Sequence, residues 1–350
     1  MRICLIHSEP ERLPRIQLEH QSLKKAGYDT YILSPRLRSR FRPRSLSAGL
    51  RYGGLMIQEF FERPDVYHVE NIPDVLGLAP IIKRAKLVFD VRSPWADEIE
   101  VFQGSGITSK LARRIEEYVT RHADIVLVVN EVLGMRAKEW GAKKVFVVPN
   151  YPSIDFRPTM SPEIFKKQQG LSDKHVVLFV GKFSAVECTL EMVTAMADLL
   201  KKEEDMVLVM VGDGPERPKI ESYVKVQGMS NKILITGWVP HSHVPNWISI
   251  ADVCVLPRRE DAASARFYSP HSVRKVGEYL ALGKPIIATP VGEFRQSDLP
   301  ITTAPLKDFP IEIKKALRNR VTLDRPRDFT WEKSERILLE AYAELEKSMV

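Results

Sequence analysis

Cysteine is scarce in this chain. Cys4, Cys188 and Cys254 are its only three in 350 residues. They show no metal-ligand spacing and two sit in apolar runs, which excludes a disulfide framework or a zinc site and predicts reduced thiols in a cytosolic protein. Long apolar runs are also missing. The longest, such as 125–129, 176–180 and 206–211, reach five or six residues, whereas a bilayer span needs about 20. The opening MRICLIHSEPER has too short an apolar core for a signal peptide. Fixed-period repeats and low-complexity stretches are absent apart from one arginine run. What is present is the profile of a soluble globular chain, 44% hydrophobic and 28% charged, which excludes a disordered, collagen-like or coiled-coil protein. The length predicts two domains of roughly 150 residues each.

Positive charge is concentrated. Residues 1–150 hold 24 Lys+Arg against 18 Asp+Glu, or +6 of the net +7. Arg36, Arg38, Arg40, Arg42 and Arg44 supply five of these charges. Pro35 and Pro43 disfavour a helix, and in an extended segment the alternation places all five guanidinium groups on one side. Such a face suits an anionic membrane or a phosphorylated lipid acceptor, at about 1 kcal/mol per cation near a charged leaflet; a solvated basic loop is the plain alternative. Nucleic acid is excluded as a partner, because the charge sits in one loop and no reading motif accompanies it.

Short apolar runs alternate with helical periodicity along most of the chain. Strands are expected at 3–6, 28–33, 66–69, 87–91, 125–129 and 145–148, with a first helix over 16–26. Pro152, Pro158, Pro162 and Gly170 then interrupt the pattern. It resumes with strands at 176–180, 206–211, 233–236, 253–256 and 286–288 and helices over 187–202, 216–227 and 273–282, and an amphipathic helix is expected over 331–347. The implied fold is α/β, with two doubly wound Rossmann-like domains. An N-terminal domain of 1–152 is completed by a helix within 331–350, a linker covers 153–172, and 173–330 forms the second domain. Open sheets of this kind bind ligands at the carboxyl ends of their strands, so a cleft between the domains is the expected site.

Three segments carry candidate chemistry. Gly181 ends a strand and precedes Lys182, so backbone amides and a mobile cation can approach an anion, although a glycine there also simply ends strands. VGDGP (211–215) is a ligand loop or a plain tight turn; it lacks the GxGxxG spacing of a dinucleotide site. The segment SVRKVGEYLALGKPIIA (272–288) is the most informative. Its helix begins with Arg274 and Lys275, cations unfavourable at that end unless an anion binds there. Glu278 follows one turn later, for a ribose or for an intrahelical ion pair. His68, on a strand, reads as a core histidine. His241 and His243 lack a third ligand, and no metal is proposed.

These pieces resemble the retaining GT-B glycosyltransferases, the nucleotide-sugar enzymes that include mannosyl- and glucosyltransferases. VGK (180–182), VGDGP (211–215), TGWV (236–239), ADVCVLP (251–257) and residues 275–285 match in order and spacing. RPDVYH (63–68), Ala123–Asp124, VPN (148–150) and FTWEK (329–333) match more loosely. The resemblance implies a nucleotide diphosphate sugar as co-substrate without cofactor or metal, a hexose transferred with retention to a lipid-linked or glycan acceptor, and a cytoplasmic protein peripheral at the membrane's inner face. It assigns Glu278 to the ribose, Lys182 to the diphosphate, Trp238 and Val239 to the base, and the amides near Ser272 and Val273 to the distal phosphate. Gly181, Gly212 and Gly214 fall in the donor loops. Arg92 stands where the family has a histidine near the sugar, and is expected to touch phosphates or acceptor, or else to pair with Asp90, Asp97 or Glu98. Pro270 replaces a glutamate, Glu187 replaces a second phosphate-binding lysine, and SEPE (8–11) replaces a glycine-rich loop; Arg274 and Lys275 are expected to rebuild the phosphate site. A sugar-nucleotide epimerase or hydrolase of the same fold, and a degenerate nucleotide-sugar binder, are the alternatives.

Overall fold

The computed structural model describes residues 1–7, 14–35, 44–71, 73–260, 265–319 and 329–349. It divides into two compact units, Met1–Asn150 with Trp331–Val350, and Tyr151–Thr330.

The first unit runs β1 (Arg2–Ile6), α1 (Pro14–Lys25), β2 (Asp29–Leu33), α2 (Arg44–Phe61), β3 (Val66–Glu70), α3 (Leu78–Ile82), β4 (Lys86–Val91), α4 (Trp95–Gln103), α5 (Ile107–His122), β5 (Ile125–Val128), α6 (Glu131–Glu139) and β6 (Val145–Val147). Its six strands are parallel in the order β2-β1-β3-β4-β5-β6. The inner strands β1, β3, β4 and β5 are buried along nearly their whole length and so read mostly as apolar runs, whereas the edge strands β2 and β6 are only partly covered. The late helix α13 (Trp331–Lys347) belongs to this unit. Its Trp331, Leu338, Tyr342 and Leu345 pack with Ile3, Leu5, Val66, Val88 and Leu127. Each such side chain contributes about 1.5–3 kcal/mol on burial. The Trp331 indole donates to Ser22 Oγ at 3.0 Å, so its one polar atom is satisfied.

The second unit runs α7 (Pro162–Gln168), β7 (His175–Val180), α8 (Thr189–Lys202), β8 (Met206–Val211), α9 (Arg217–Val226), β9 (Ile233–Gly237), α10 (Val244–Ser249), β10 (Val253–Leu256), α11 (Arg274–Ala281), β11 (Ile286–Ala288), β12 (Ile301–Thr303) and α12 (Phe309–Asn319). Its sheet is again parallel, in the order β12-β11-β10-β7-β8-β9. Strand order reverses at β7, which lies between β10 and β8. In such sheets the ligand crevice opens at the carboxyl ends of the strands flanking the reversal.

Residues 153–172, expected as a linker, are built into the second unit. Ser161 accepts from the Ile164 amide and Pro162 opens the first turn of α7, a start signal rather than a break. Phe165 then packs edge-on to Trp247, with ring centroids 5.0 Å apart. Arg36, Arg38, Arg40 and Arg42 lie outside the described residues. Arg44 begins α2 rather than continuing an extended run. Among the described residues no helix is long and apolar enough to cross a membrane, and the three cysteines are buried thiols outside any disulfide.

Glu59 on α2 is fully buried, and neither of its carboxylate oxygens is hydrogen-bonded. Burial pushes its carboxyl up to about 9, from an ordinary 4.5, against the opposing pull of Lys83. The folded state therefore keeps a proton that the unfolded chain releases, and stability falls as pH rises from about 4.5 to about 9. Glu70, pushed up to about 8 by burial against the pull of Arg92, acts in the same direction. Glu59→Gln is expected to flatten the fall in stability between about pH 5 and 9, by up to about 1.4 kcal/mol per pH unit. Chemical denaturation of both proteins across that range checks this; parallel curves would contradict it.

Candidate functional site

The loops that follow β7, β8, β9 and β10 come together at the carboxyl ends of the second unit's strands. Gly181 N donates to Val211 O at 2.9 Å, Phe183 N to Asp213 O at 3.1 Å, and Gly212 N to Gly237 O at 3.0 Å. This lacing needs glycine at two points. A Cβ at Gly212, where φ is +140°, would stand 1.9 Å from the Gly181 carbonyl oxygen. A Cβ at Gly214 would stand 2.3 Å from that of Phe183. Gly212 and Gly214 are thus required by close backbone packing where the loops after β7 and β8 meet.

Helix α11 enters beside β7. The Val180 amide donates to the Tyr279 hydroxyl at 3.0 Å, fixing the helix against the strand end. Lys275 reaches over the Phe179 ring, 4.6 Å from its centroid, and lies against Gly181. Its ammonium pairs with Glu187, whose other oxygen accepts from Arg258 at 2.9 Å. Arg258 follows β10, lies 4.1 Å over the Tyr268 ring, and is reached from the other side of the strand reversal. Burial would raise the Glu187 carboxyl, but Arg258 and Lys275 outweigh it and hold it below the usual range. Burial lowers the Lys275 ammonium, and Glu187 opposes that fall. Lys182 is exposed at the rim and adds to the positive potential on Glu187.

One turn beyond Lys275, Glu278 is buried with two donors on one oxygen. His241 Nε2 lies 2.7 Å and Arg274 Nε 3.0 Å from Oε1. Burial alone would raise this carboxyl; hydrogen bonds from His241 and Arg274 hold it below its ordinary value instead. Glu278 is therefore an anion with Oε2 left to accept from a ligand hydroxyl. The intrahelical pair expected with Arg274 is present, and His241 is a second partner that no spacing in the sequence signalled. The His241 ring packs on Phe156, 5.4 Å between centroids, so the supposed linker supplies part of the wall. Trp238, after β9, is 58% exposed and available to stack on a planar group; Val239 beside it is half-buried.

Two expected roles need correction. The amides of Ser272 and Val273 do not offer themselves to a phosphate: both donate to the Ser269 carbonyl, at 3.0 and 3.1 Å. A tight Ser269–Ser272 turn consumes them, so the cations near α11 come from side chains. Helix α8 is closed to anions as well, because Glu216 accepts from Thr189 Oγ1 at 2.6 Å and from the Leu190 amide at 3.4 Å at its amino end.

Arg92 is the second correction. It sits in the first unit after β4, where Nε donates to Asp90 at 2.9 Å and the same guanidinium pairs with Glu19 at 3.1 Å and with Glu70. Its side chain is only 10% exposed. The guanidinium is thus committed to three buried carboxyl groups, and Arg92 ties the ends of β3 and β4 to α1 rather than reaching for a ligand. The pairing with Asp90 is as expected, whereas Asp97 pairs with Arg113 and Arg136. His68 is a core histidine, with Nδ1 2.8 Å from the Tyr342 hydroxyl. Among the described residues Glu19, His68 and Asp90 form the one group spaced for a metal ion, but Arg15 and Arg92 pair with its carboxylates, a poor setting for a cation.

Comparison with known proteins places these features in a family. Residues 174–319 match the family model described as glycosyl transferases group 1, and 19–151 the glycosyl transferase 4-like domain. An alpha-D-kanosaminyltransferase of Streptomyces kanamyceticus is 29% identical over 159 residues, 44% of this chain and 41% of that protein. A 2-deoxystreptamine glucosyltransferase of the same organism is 28% identical over 158 residues, 43% of this chain and again 41% of the relative. The chain thus spans about two fifths of the length of these curated relatives. A sucrose-phosphate synthase from Thermosynechococcus elongatus superposes with a TM-score of 0.78 at 18% identity, covering 99% of this chain and 100% of the other. The Anabaena HepE protein in complex with UDP-glucose does so at 0.73 and 13%, covering 98% and 100%. At such identities the structural likeness speaks for the fold.

Proposed function

The chain belongs to the glycosyltransferases of the GT-B type, and on that premise we propose that it moves a hexose from a nucleotide diphosphate sugar to a glycan or lipid-linked acceptor with retention of configuration. The observation that supports this most is the cluster of charged side chains at the ends of β7 and β10. There Glu278 keeps one oxygen for a ribose hydroxyl, one turn from Lys275, with Arg258 and Lys182 close by. As the bond to the sugar breaks, negative charge grows on the diphosphate, and cations fixed there lower the barrier. In this reading the second unit holds the donor and the first unit the acceptor, and side-chain cations replace a metal ion or resident cofactor. HepE, solved with UDP-glucose, supports testing uridine donors first. Relatives named for 2-deoxystreptamine support a polyhydroxylated ring as acceptor.

The test is transfer from an α-linked donor, with the product's anomeric configuration read by NMR in the presence and absence of EDTA. An α-linked product at an unchanged rate is expected. A β-linked product, or loss of activity in EDTA restored by a divalent ion, would overturn retention or metal independence; donor conversion without an acceptor would favour the epimerase or hydrolase. Contact of the 36–44 arginines with an anionic leaflet is part of the proposal. Phosphatidylserine vesicles should sediment the protein at low salt but not a variant with Arg38, Arg40 and Arg42 changed to serine; equal sedimentation would remove the contact.

A further inference from the structure

Glu278 and His241 reach one another from different parts of the second unit. Glu278 stands on α11, whereas His241 opens a short turn, His241–His243, in the loop after β9 that also carries Trp238. The two meet with His241 Nε2 2.7 Å from Glu278 Oε1. Arg274 donates to the same oxygen at 3.0 Å, but it stands one turn earlier on the same helix. A donor on the carboxylate's own helix moves with it and sets no position relative to the β9 loop. His241 supplies that second reference.

An ionised carboxylate only accepts, so Nε2 carries the proton in this contact, whether the ring is neutral or charged. The hydrogen bond from His241 is also the first of the influences that hold the buried carboxyl below its ordinary range. With one donor, the carboxylate can turn about its last torsion, which is broad in glutamate, and present either oxygen. Two donors converging on Oε1 from separate elements fix its plane, and Oε2 then has one direction in which to accept.

We propose that His241 is a positioning residue for ribose recognition, its Nε2–H aiming Oε2 of Glu278 at the sugar hydroxyls of the nucleotide. This rests on the donor-site reading above. His241 also has a plain packing role, since its ring lies on Phe156 with centroids 5.4 Å apart. Substitution separates the two. Phenylalanine keeps a ring against Phe156 and loses the donor, whereas glutamine loses the ring and keeps an N–H for the carboxylate. The side chain is 36% exposed, so the fold tolerates either.

The experiment is calorimetric titration of wild type, His241→Phe and His241→Gln. The probes are UDP, GDP, ADP and CDP, followed by the 2′,3′-dideoxy form of the one that wild type binds best. His241→Phe is expected to bind the ribonucleotide about fivefold more weakly, the size of one ordinary hydrogen bond, and the dideoxy form as wild type does. Discrimination between the two forms then falls by the same factor. His241→Gln is expected to keep that discrimination within about twofold of wild type. In transfer assays His241→Phe should raise the KM for the sugar donor and leave kcat near wild type, the pattern of lost ground-state binding. Undiminished discrimination in His241→Phe, equal weakening of both nucleotide forms, or equal losses in the two variants would overturn the positioning role. Equal binding of the two forms by wild type would instead overturn the placement of the ribose at Glu278.

Discussion

Replacing Glu278 by glutamine is expected to lower affinity for the nucleoside diphosphate by about 10- to 100-fold. The carboxylate is buried and held ionised by His241 and Arg274 through one oxygen. A ribose hydroxyl on the other would form a charged hydrogen bond, worth about 1.5–3 kcal/mol. Glutamine preserves the volume and one acceptor, so Arg274 and His241 keep a partner and the loss reports on the ligand. The assignment is sharpened by a double-mutant cycle. Wild type should discriminate against the 2′,3′-dideoxynucleotide, and the variant should bind both nucleotides equally. A variant that discriminates as wild type does would place the ribose elsewhere.

Lys275→Met is expected to lower kcat by about 10²–10³, the range for removing one fixed donor from a developing anion. The ammonium sits over the Phe179 ring and against Gly181, largely covered and oriented before any ligand arrives. Its attraction grows as charge moves onto the leaving phosphate, so kcat should suffer more than the donor KM. Initial rates at saturating donor decide it. A kcat within about threefold of wild type would assign the stabilisation to Lys182 or Arg258 instead.

Parts of this arrangement were legible in the sequence because burial writes itself into composition. β7 and β8 are apolar at nearly every position since both faces are covered, and α11 shows its cations and Glu278 in one short stretch. Other parts were hidden by competing signals. The alternating arginines and two prolines argued for an extended segment, and Gly53 and Gly54 weakened the helical pattern of α2. β12 is a three-residue edge strand whose Thr302 and Thr303 are exposed, so no apolar run marks it. Proline at 162 looked like a break, although with Ser161 before it the physics is that of a helix start.

The site was legible where it is local and silent where it depends on strand order. Gly181, Lys182, Lys275 and Glu278 each lie at a strand end or in a helix's early turns. Arg258 becomes their neighbour only because β10 pairs with β7. Glu187 looked like a loss until Lys275 and Arg258 were found on its two oxygens. The amides of Ser272 and Val273 were misassigned for a related reason, since a sequence shows where a helix begins but not which carbonyl its first amides meet.

The central claim is that the donor binds the second unit, between the ends of β7 and β10 and the start of α11. Hydrogen–deuterium exchange with and without saturating nucleoside diphosphate tests it most directly. Protection is expected in peptides covering 180–188, 236–242, 256–260 and 272–280, with little change in the first unit's strands. Protection confined to the first unit, or absent from α11 at demonstrated saturation, would contradict the account.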